Sequence, residues 1–137
     1  MRAQYYDQHY LSYFERFNRQ LFFEAHEALE ALWLPQRQGP NGSFYKGLIQ
    51  LAGGFVHLQK NRLSPAAALF KLARANLRNY PATHEGLEVN AALAIIEECL
   101  RQLESTVPTA NPLASAGTLH LRLNAPRQSV DRRDSTD

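Results

Sequence analysis

The segment that most constrains the fold is residues 43–62, which is predicted to be a helix with apolar side chains around most of its circumference. A helix of this kind is normally buried at the centre of a domain. We therefore predict a central helix with other helices packed around it. Its apolar residues are Phe44, Tyr45, Leu48, Ile49, Leu51, Ala52, Phe55, Val56 and Leu58.

Helical spacing of apolar residues also occurs in four other segments, at about residues 4–18, 20–34, 65–80 and 88–105. Short connections between helices favour antiparallel neighbours, so the sequence predicts an all-α, compact five-helix bundle. The apolar face predicted for the fourth helix consists of Leu69, Leu72, Ala73, Leu77 and Tyr80.

The character of the chain changes after residue 105. We predict a helical domain over 1–105, an irregular linker over 106–117, an extended arm or strand over 118–124 and a disordered tail over 125–137. The arm alternates leucines with polar residues, which is the strand period. Since one strand cannot satisfy its own backbone, we expect the arm either to pair with a second copy in a homo-oligomer or to lie over the bundle.

Composition excludes several classes of protein. A single cysteine, Cys99, excludes a disulfide scaffold and a cysteine-rich zinc module. No apolar run reaches the ~18 residues of a spanning helix, and the first residues do not resemble a secretory signal, so we expect no membrane association and a cytoplasmic location. The net charge of +2 comes from scattered basic residues, which argues against a nucleic-acid partner.

Polar residues on the second and third predicted helices are candidate site residues because they border apolar faces. His26 and Glu30 are one turn apart at the edge of the apolar arc of the helix at 20–34. Gln50 and His57, on the central helix, are two turns apart and therefore face the same way. An antiparallel hairpin of the two helices brings these edges together, so we predict one polar cluster.

Glycines accompany this polar strip of the central helix. Gly47, Gly53 and Gly54 lie in the helix interior, where each costs about 0.5–1 kcal/mol relative to Ala. Close approach of a neighbouring helix, or room for a ligand, would offset that cost.

The pattern His26-x-x-x-Glu30-x-x-Trp33, with Gly47-Leu48-Ile49-Gln50 and His57-x-x-x-Asn61 after it, resembles domain-of-unknown-function family 309. These are small helical proteins marked by an H-x-x-x-E-x-x-W signature. The resemblance covers about residues 17–103 and implies a compact all-α fold with one helix surrounded by others. It implies no activity. Lys46 stands where the pattern leads us to expect Gln.

Three interpretations of the polar cluster remain open. The first is a site for a divalent metal such as Zn or Fe, with His26, Glu30 and His57 as ligands and catalytic residues of a metal-dependent hydrolase. The chain contains neither H-E-x-x-H nor Glu-x-x-His, which excludes the zincin and di-iron carboxylate patterns.

The second interpretation is a small-molecule site, to which Trp33, Tyr45, Gln50 and Asn61 would contribute ligand contacts. In a metal-free enzyme of this kind, Glu30 would act as the general base. The third interpretation is a polar network that only holds the two helices together, in a protein that acts through oligomeric contacts. The sequence leaves open whether the protein is an enzyme.

Overall fold

The computed structural model of the protein describes residues 6–105 and 111–125. Within these ranges the chain forms helices in succession, with a two-stranded antiparallel sheet between the fourth and the fifth. The helices are α1 (Gln8–Asn18), α2 (Phe22–Trp33), α3 (Gly42–Gln59), α4 (Leu63–Leu77), α5 (Val89–Leu103) and α6 (Leu113–Ala116), and the strands are β1 (Thr83–His84) and β2 (Leu87–Glu88).

The predicted all-α bundle of five principal helices is confirmed, and α1 to α5 begin and end within four residues of the predicted bounds. The start predicted at residue 4, part of the predicted linker (106–110) and nearly all of the predicted tail (126–137) lie outside the described residues. No helix in the part of the chain that the structure describes is long and apolar enough to span a membrane.

Helix α3 occupies the centre of the bundle, as its sequence predicts. Phe55 shows how: its buried ring lies 5.9 Å from the ring of Phe17, 5.0 Å from that of Phe22 and 5.0 Å from that of Phe70. These neighbours belong to α1, α2 and α4, so one side chain of α3 joins three surrounding helices.

The glycines of α3 allow α4 to approach closely. A Cβ atom on Gly54 would lie 2.5 Å from the ring of Phe70, and one on Gly47 would lie 2.8 Å from Cγ of Leu77. Real Cβ contacts are not this short, so both positions require glycine. Of the two explanations predicted for these glycines, the structure shows close approach of a neighbouring helix, and that helix is α4.

Gly53 and Gly54 provide a matched test of this packing. Both Gly→Ala substitutions gain helix propensity, but a Cβ on Gly53 would meet only the end of the flexible Leu69 side chain, at 3.1 Å. We expect Gly54→Ala to lower the free energy of unfolding by about 1–2 kcal/mol because the buried Phe70 ring must move. Gly53→Ala is expected to leave it unchanged or raise it slightly. Urea denaturation of both variants measures the difference, and equal values would contradict the close packing.

Helix α4 turns only part of the predicted face to the core, since Ala73 and Leu77 are buried as predicted but Leu69 and Leu72 are not. Its buried residues are Ala66, Phe70, Ala73 and Leu77. Leu72, assigned to the core from its spacing, is 51% exposed. The true stripe is rotated along the helix because Ala66 and Phe70 fill it, and the rotation leaves Leu69 and Leu72 on the flank.

A tight hairpin that the sequence analysis did not predict connects α4 to α5. His84 pairs with Leu87, which leaves Glu85 and Gly86 as a two-residue loop. Both loop residues have left-handed backbones, with φ of 48° and 75°. This is the geometry that two-residue hairpins favour, because its twist matches that of the strands.

The C-terminal arm lies across the bundle of its own chain, which is the second of the two arrangements expected for it. The Asn18 side chain donates to the Leu121 carbonyl at 2.9 Å and accepts from the Leu121 N–H at 2.7 Å. The Gln20 side chain likewise donates to the Leu119 carbonyl at 2.8 Å and accepts from the Leu119 N–H at 3.1 Å. Leu123 forms a bridge with Leu87 of β2. Side-chain amides thus supply the backbone hydrogen bonds that a neighbouring strand would otherwise make with the arm. Pairing of the arm with a second copy of the chain stays a prediction.

The approach to the arm contains a short helix, α6, where the sequence predicts an irregular linker. Asn111 accounts for the difference, because its side chain accepts from the Leu113 N–H at 3.0 Å and its carbonyl from the Ala114 N–H at 2.8 Å. Asn111 also donates to the Leu58 carbonyl, which attaches this segment to the end of α3.

Candidate functional site

A cleft of about 480 Å³ opens between α2, α3 and α4. Three of the predicted site residues, His26, Gln50 and His57, line it, so the polar edges of α2 and α3 border the same cleft. The lining residues are Phe23, His26, Lys46, Ile49, Gln50, Gly53, Val56, His57, Leu69 and Leu72.

The walls of the cleft are apolar and partly open to solvent. Phe23 and Leu72, on α2 and α4, are 50% and 51% exposed. Ile49 of α3 is buried beneath them. Phe23 follows the buried Phe22, and since successive helical residues point about 100° apart, its ring leaves the core and reaches the cleft. Large apolar side chains that stay half-exposed together are typical of a binding surface.

His26 is oriented by its own helix. Its Nδ1 lies 2.7 Å from the carbonyl oxygen of Phe23, so Nδ1 carries the proton and donates. In the neutral ring Nε2 is then an acceptor; it lies 3.8 Å from Oε1 of Glu30, which is too far for a hydrogen bond. Glu30 is half-exposed and is not among the residues that line the cleft.

His57 carries a buried nitrogen that lacks a partner. Its Nδ1 has no hydrogen bond within the described residues, although solvent does not reach the atom. Burying such a group without a partner costs free energy, so an unpaired nitrogen in a native structure calls for a reason. His57 lines the cleft, so a ligand that moves its ring could give this nitrogen a partner.

Gln50 is held by α4. Its Oε1 accepts a hydrogen bond of 2.7 Å from Nδ2 of Asn76. Its Nε2 makes no hydrogen bond with the described residues and can donate into the cleft. Asn76 of α4 therefore orients the side chain of Gln50.

Lys46 connects the cleft to Trp33. Its Nζ lies 4.5 Å from the centre of the Trp33 ring, a cation–π contact. Trp33 was predicted to contact a ligand, but it does not line the cleft; it contacts the ammonium of Lys46, which is one of the lining residues. Within the described residues Lys46 has no ion pair with a carboxylate.

Tyr45 and Asn61, which were predicted to contact a ligand, lie elsewhere. The buried Tyr45 ring lies 5.9 Å from the ring of Tyr10 of α1, because Tyr45 points about 100° away from Lys46. Asn61 follows the end of α3 with φ of 55°, and its Oδ1 accepts from Asn111 at 3.3 Å. Neither side chain lines the cleft.

The predicted metal site does not form among the described residues. No three His, Cys, Asp or Glu side chains within ranges 6–105 and 111–125 group closely enough to hold a metal ion. The reason is that His57 and Glu30 lie apart. His57 lines the cleft, whereas Glu30 is half-exposed on the outer edge of α2. The set His26, Glu30 and His57 therefore lacks the geometry of three ligands.

Cys99 is not placed to act as a nucleophile. It is buried on α5, away from the cleft, and burial raises the pKa of its thiol to about 11. The thiol is therefore protonated at neutral pH, in which form it is a weak nucleophile.

Comparison with known proteins identifies a family. Neither the curated proteins nor the solved structures provide a significant match to this chain. Residues 10–69 match the family described as Domain of unknown function (DUF309), and this range contains nearly all of α1, all of α2 and α3 and the first part of α4. The part of the chain that builds most of the cleft is therefore similar to the DUF309 family, whose description names no function.

Proposed function

We propose that the protein binds a small, largely apolar molecule in the cleft between α2, α3 and α4. The observation that carries the proposal is the lining of the cleft, in which the half-exposed Phe23 and Leu72 stand beside the polar residues His26, Gln50 and His57. Binding sites for small molecules combine apolar walls with a few polar groups, in volumes of about 300–1,000 Å³. The cleft has both properties.

The hydrogen bonds around the cleft favour binding over a purely structural network. A structural network would pair its polar groups with one another, because unpaired buried groups are costly. Here His26 bonds its own helix and Gln50 bonds Asn76, while one nitrogen of His57 remains without a partner. Within the described residues, His26, Gln50 and His57 therefore make no hydrogen bond with one another, although all three line the cleft.

A neutral fluorescent probe tests this proposal. We expect N-phenyl-1-naphthylamine to bind the protein saturably with a rise in emission, since its rings match the apolar walls. The double variant Phe23→Ser/Leu72→Ser removes apolar contact area at the mouth and should weaken binding at least about tenfold, or about 1.4 kcal/mol. Fluorescence titration measures both affinities.

Leu34→Ser is the matched control, because Leu34 is 55% exposed but does not line the cleft. It should leave the affinity unchanged, and circular dichroism should show that every variant is folded. Equal probe affinity in the double variant and the wild type, or no saturable binding at all, would contradict the proposal.

A further inference from the structure

The polar residues that line the cleft are a lysine, a glutamine and two histidines, with no acid among them. Lys46 is an ammonium, Gln50 offers an unpaired amide, and His26 and His57 are imidazoles. Glu30, the acidic residue paired with His26, stays on the outer edge of α2. The lining therefore complements a ligand whose polar end is an acceptor with negative charge.

The ammonium of Lys46 is available to bind such a negative charge. The Trp33 ring fixes its ammonium by a cation–π contact at 4.5 Å, and a face contact with a ring does not use all three N–H donors. Since no described carboxylate pairs with Lys46, its charge is not neutralised within the protein. A charged oxygen of a ligand would gain a charge-assisted hydrogen bond there.

Resting on the proposed function, we infer that the ligand is an amphiphilic monocarboxylate, with its acid group at Lys46 and its hydrocarbon body against Phe23, Val56 and Leu72. The one ammonium group of the lining, that of Lys46, matches the single charge of a carboxylate. A phosphate monoester carries about −1.5 to −2 at neutral pH, which would leave charge unmatched in a largely apolar cleft.

Ligands that share one decyl chain and differ in the head group test the inference. Decanoate, decanol, decyl phosphate and decyltrimethylammonium are titrated by calorimetry below their micelle concentrations. We expect decanoate to bind at least about tenfold more tightly than the other three. Trp33 is the only tryptophan of the chain, so decanoate should also shift its fluorescence through Lys46, whereas decanol should not.

Variants at position 46 locate the head group. Lys46→Met keeps an unbranched side chain without the charge, so decanoate should fall to the affinity of decanol. Lys46→Arg keeps the charge and should retain the preference. Arg16→Met is the matched control, since it removes a positive charge from α1, outside the cleft; it should leave decanoate affinity unchanged.

The outcomes separate this inference from the proposed function. If decanol binds as tightly as decanoate and both weaken in Phe23→Ser/Leu72→Ser, the cleft binds apolar ligands and the acid assignment is overturned. Tighter binding of decyl phosphate, or a preference for decanoate that survives in Lys46→Met, overturns it too. If neither the decyl ligands nor the neutral naphthylamine probe binds, the proposed function fails, and the inference fails with it.

Discussion

Replacing Phe55 by Ala is expected to lower the free energy of unfolding by about 3–5 kcal/mol. The ring is fully buried and packs against Phe17, Phe22 and Phe70, so its removal leaves a cavity where α1, α2 and α4 meet α3. Such a loss is a large part of the ~5–15 kcal/mol that stabilises a typical domain. Urea denaturation followed by circular dichroism measures it.

Phe23→Ala removes the same atoms from a ring that is 50% exposed, and therefore serves as the control. We expect it to cost less than about 1.5 kcal/mol, because much of its surface already meets water. If both variants lost the same free energy, Phe55 would not be the junction of the four helices.

Asn18→Ala is expected to lower the free energy of unfolding by about 2–3 kcal/mol. The substitution removes both hydrogen bonds to Leu121, at 2.9 and 2.7 Å, and leaves the N–H and the carbonyl of that residue without their partner. Hydrogen exchange gives a local measurement. The Leu121 amide should exchange much faster in the variant, whereas the exchange free energies of the α3 amides should fall only by as much as the free energy of unfolding falls.

Asn90→Ala is the corresponding control, since Asn90 is exposed on α5 and has no hydrogen bond to the arm. It should change stability by less than about 0.5 kcal/mol. Unchanged exchange at Leu121 in Asn18→Ala would show that the amide of Asn18 does not hold the arm.

The helices could be predicted from the sequence because their signals are local. The spacing of apolar residues reflects burial on one side in α2 and around most of the helix in α3. A loop rich in Pro and Gly separates the two helices. The hairpin before α5 was missed because Glu85-Gly86 is not one of the dipeptides that mark two-residue turns, such as Asn-Gly or Asp-Gly. Its left-handed Glu85 depends on tertiary contacts, including the Tyr10 hydroxyl that donates to its carbonyl at 2.8 Å.

The candidate site was only partly predictable, because it depends on a third helix. Helical projection placed Gln50 and His57 on one face and brought His26 near them, and all three line the cleft. It could not show that Asn76 of α4 would donate a hydrogen bond to Oε1 of Gln50, or that Leu72 would line the cleft. Those contacts depend on how α4 is rotated, which the glycines and Phe70 determine.

The hydrogen bonds of the arm also bear on the order in which the protein folds. Neighbouring helices in the sequence pack against each other, so most of the bundle can form from local contacts. The arm instead joins Asn18 to Leu121 across 103 positions, and Tyr6 to Asn124 across 118. Contacts of such long range form slowly, because a large loop must close first. During synthesis the helices would emerge and collapse while Asn18 still lacks its partner, and the last turn of α1 would gain its full stability only after residue 121 has left the ribosome.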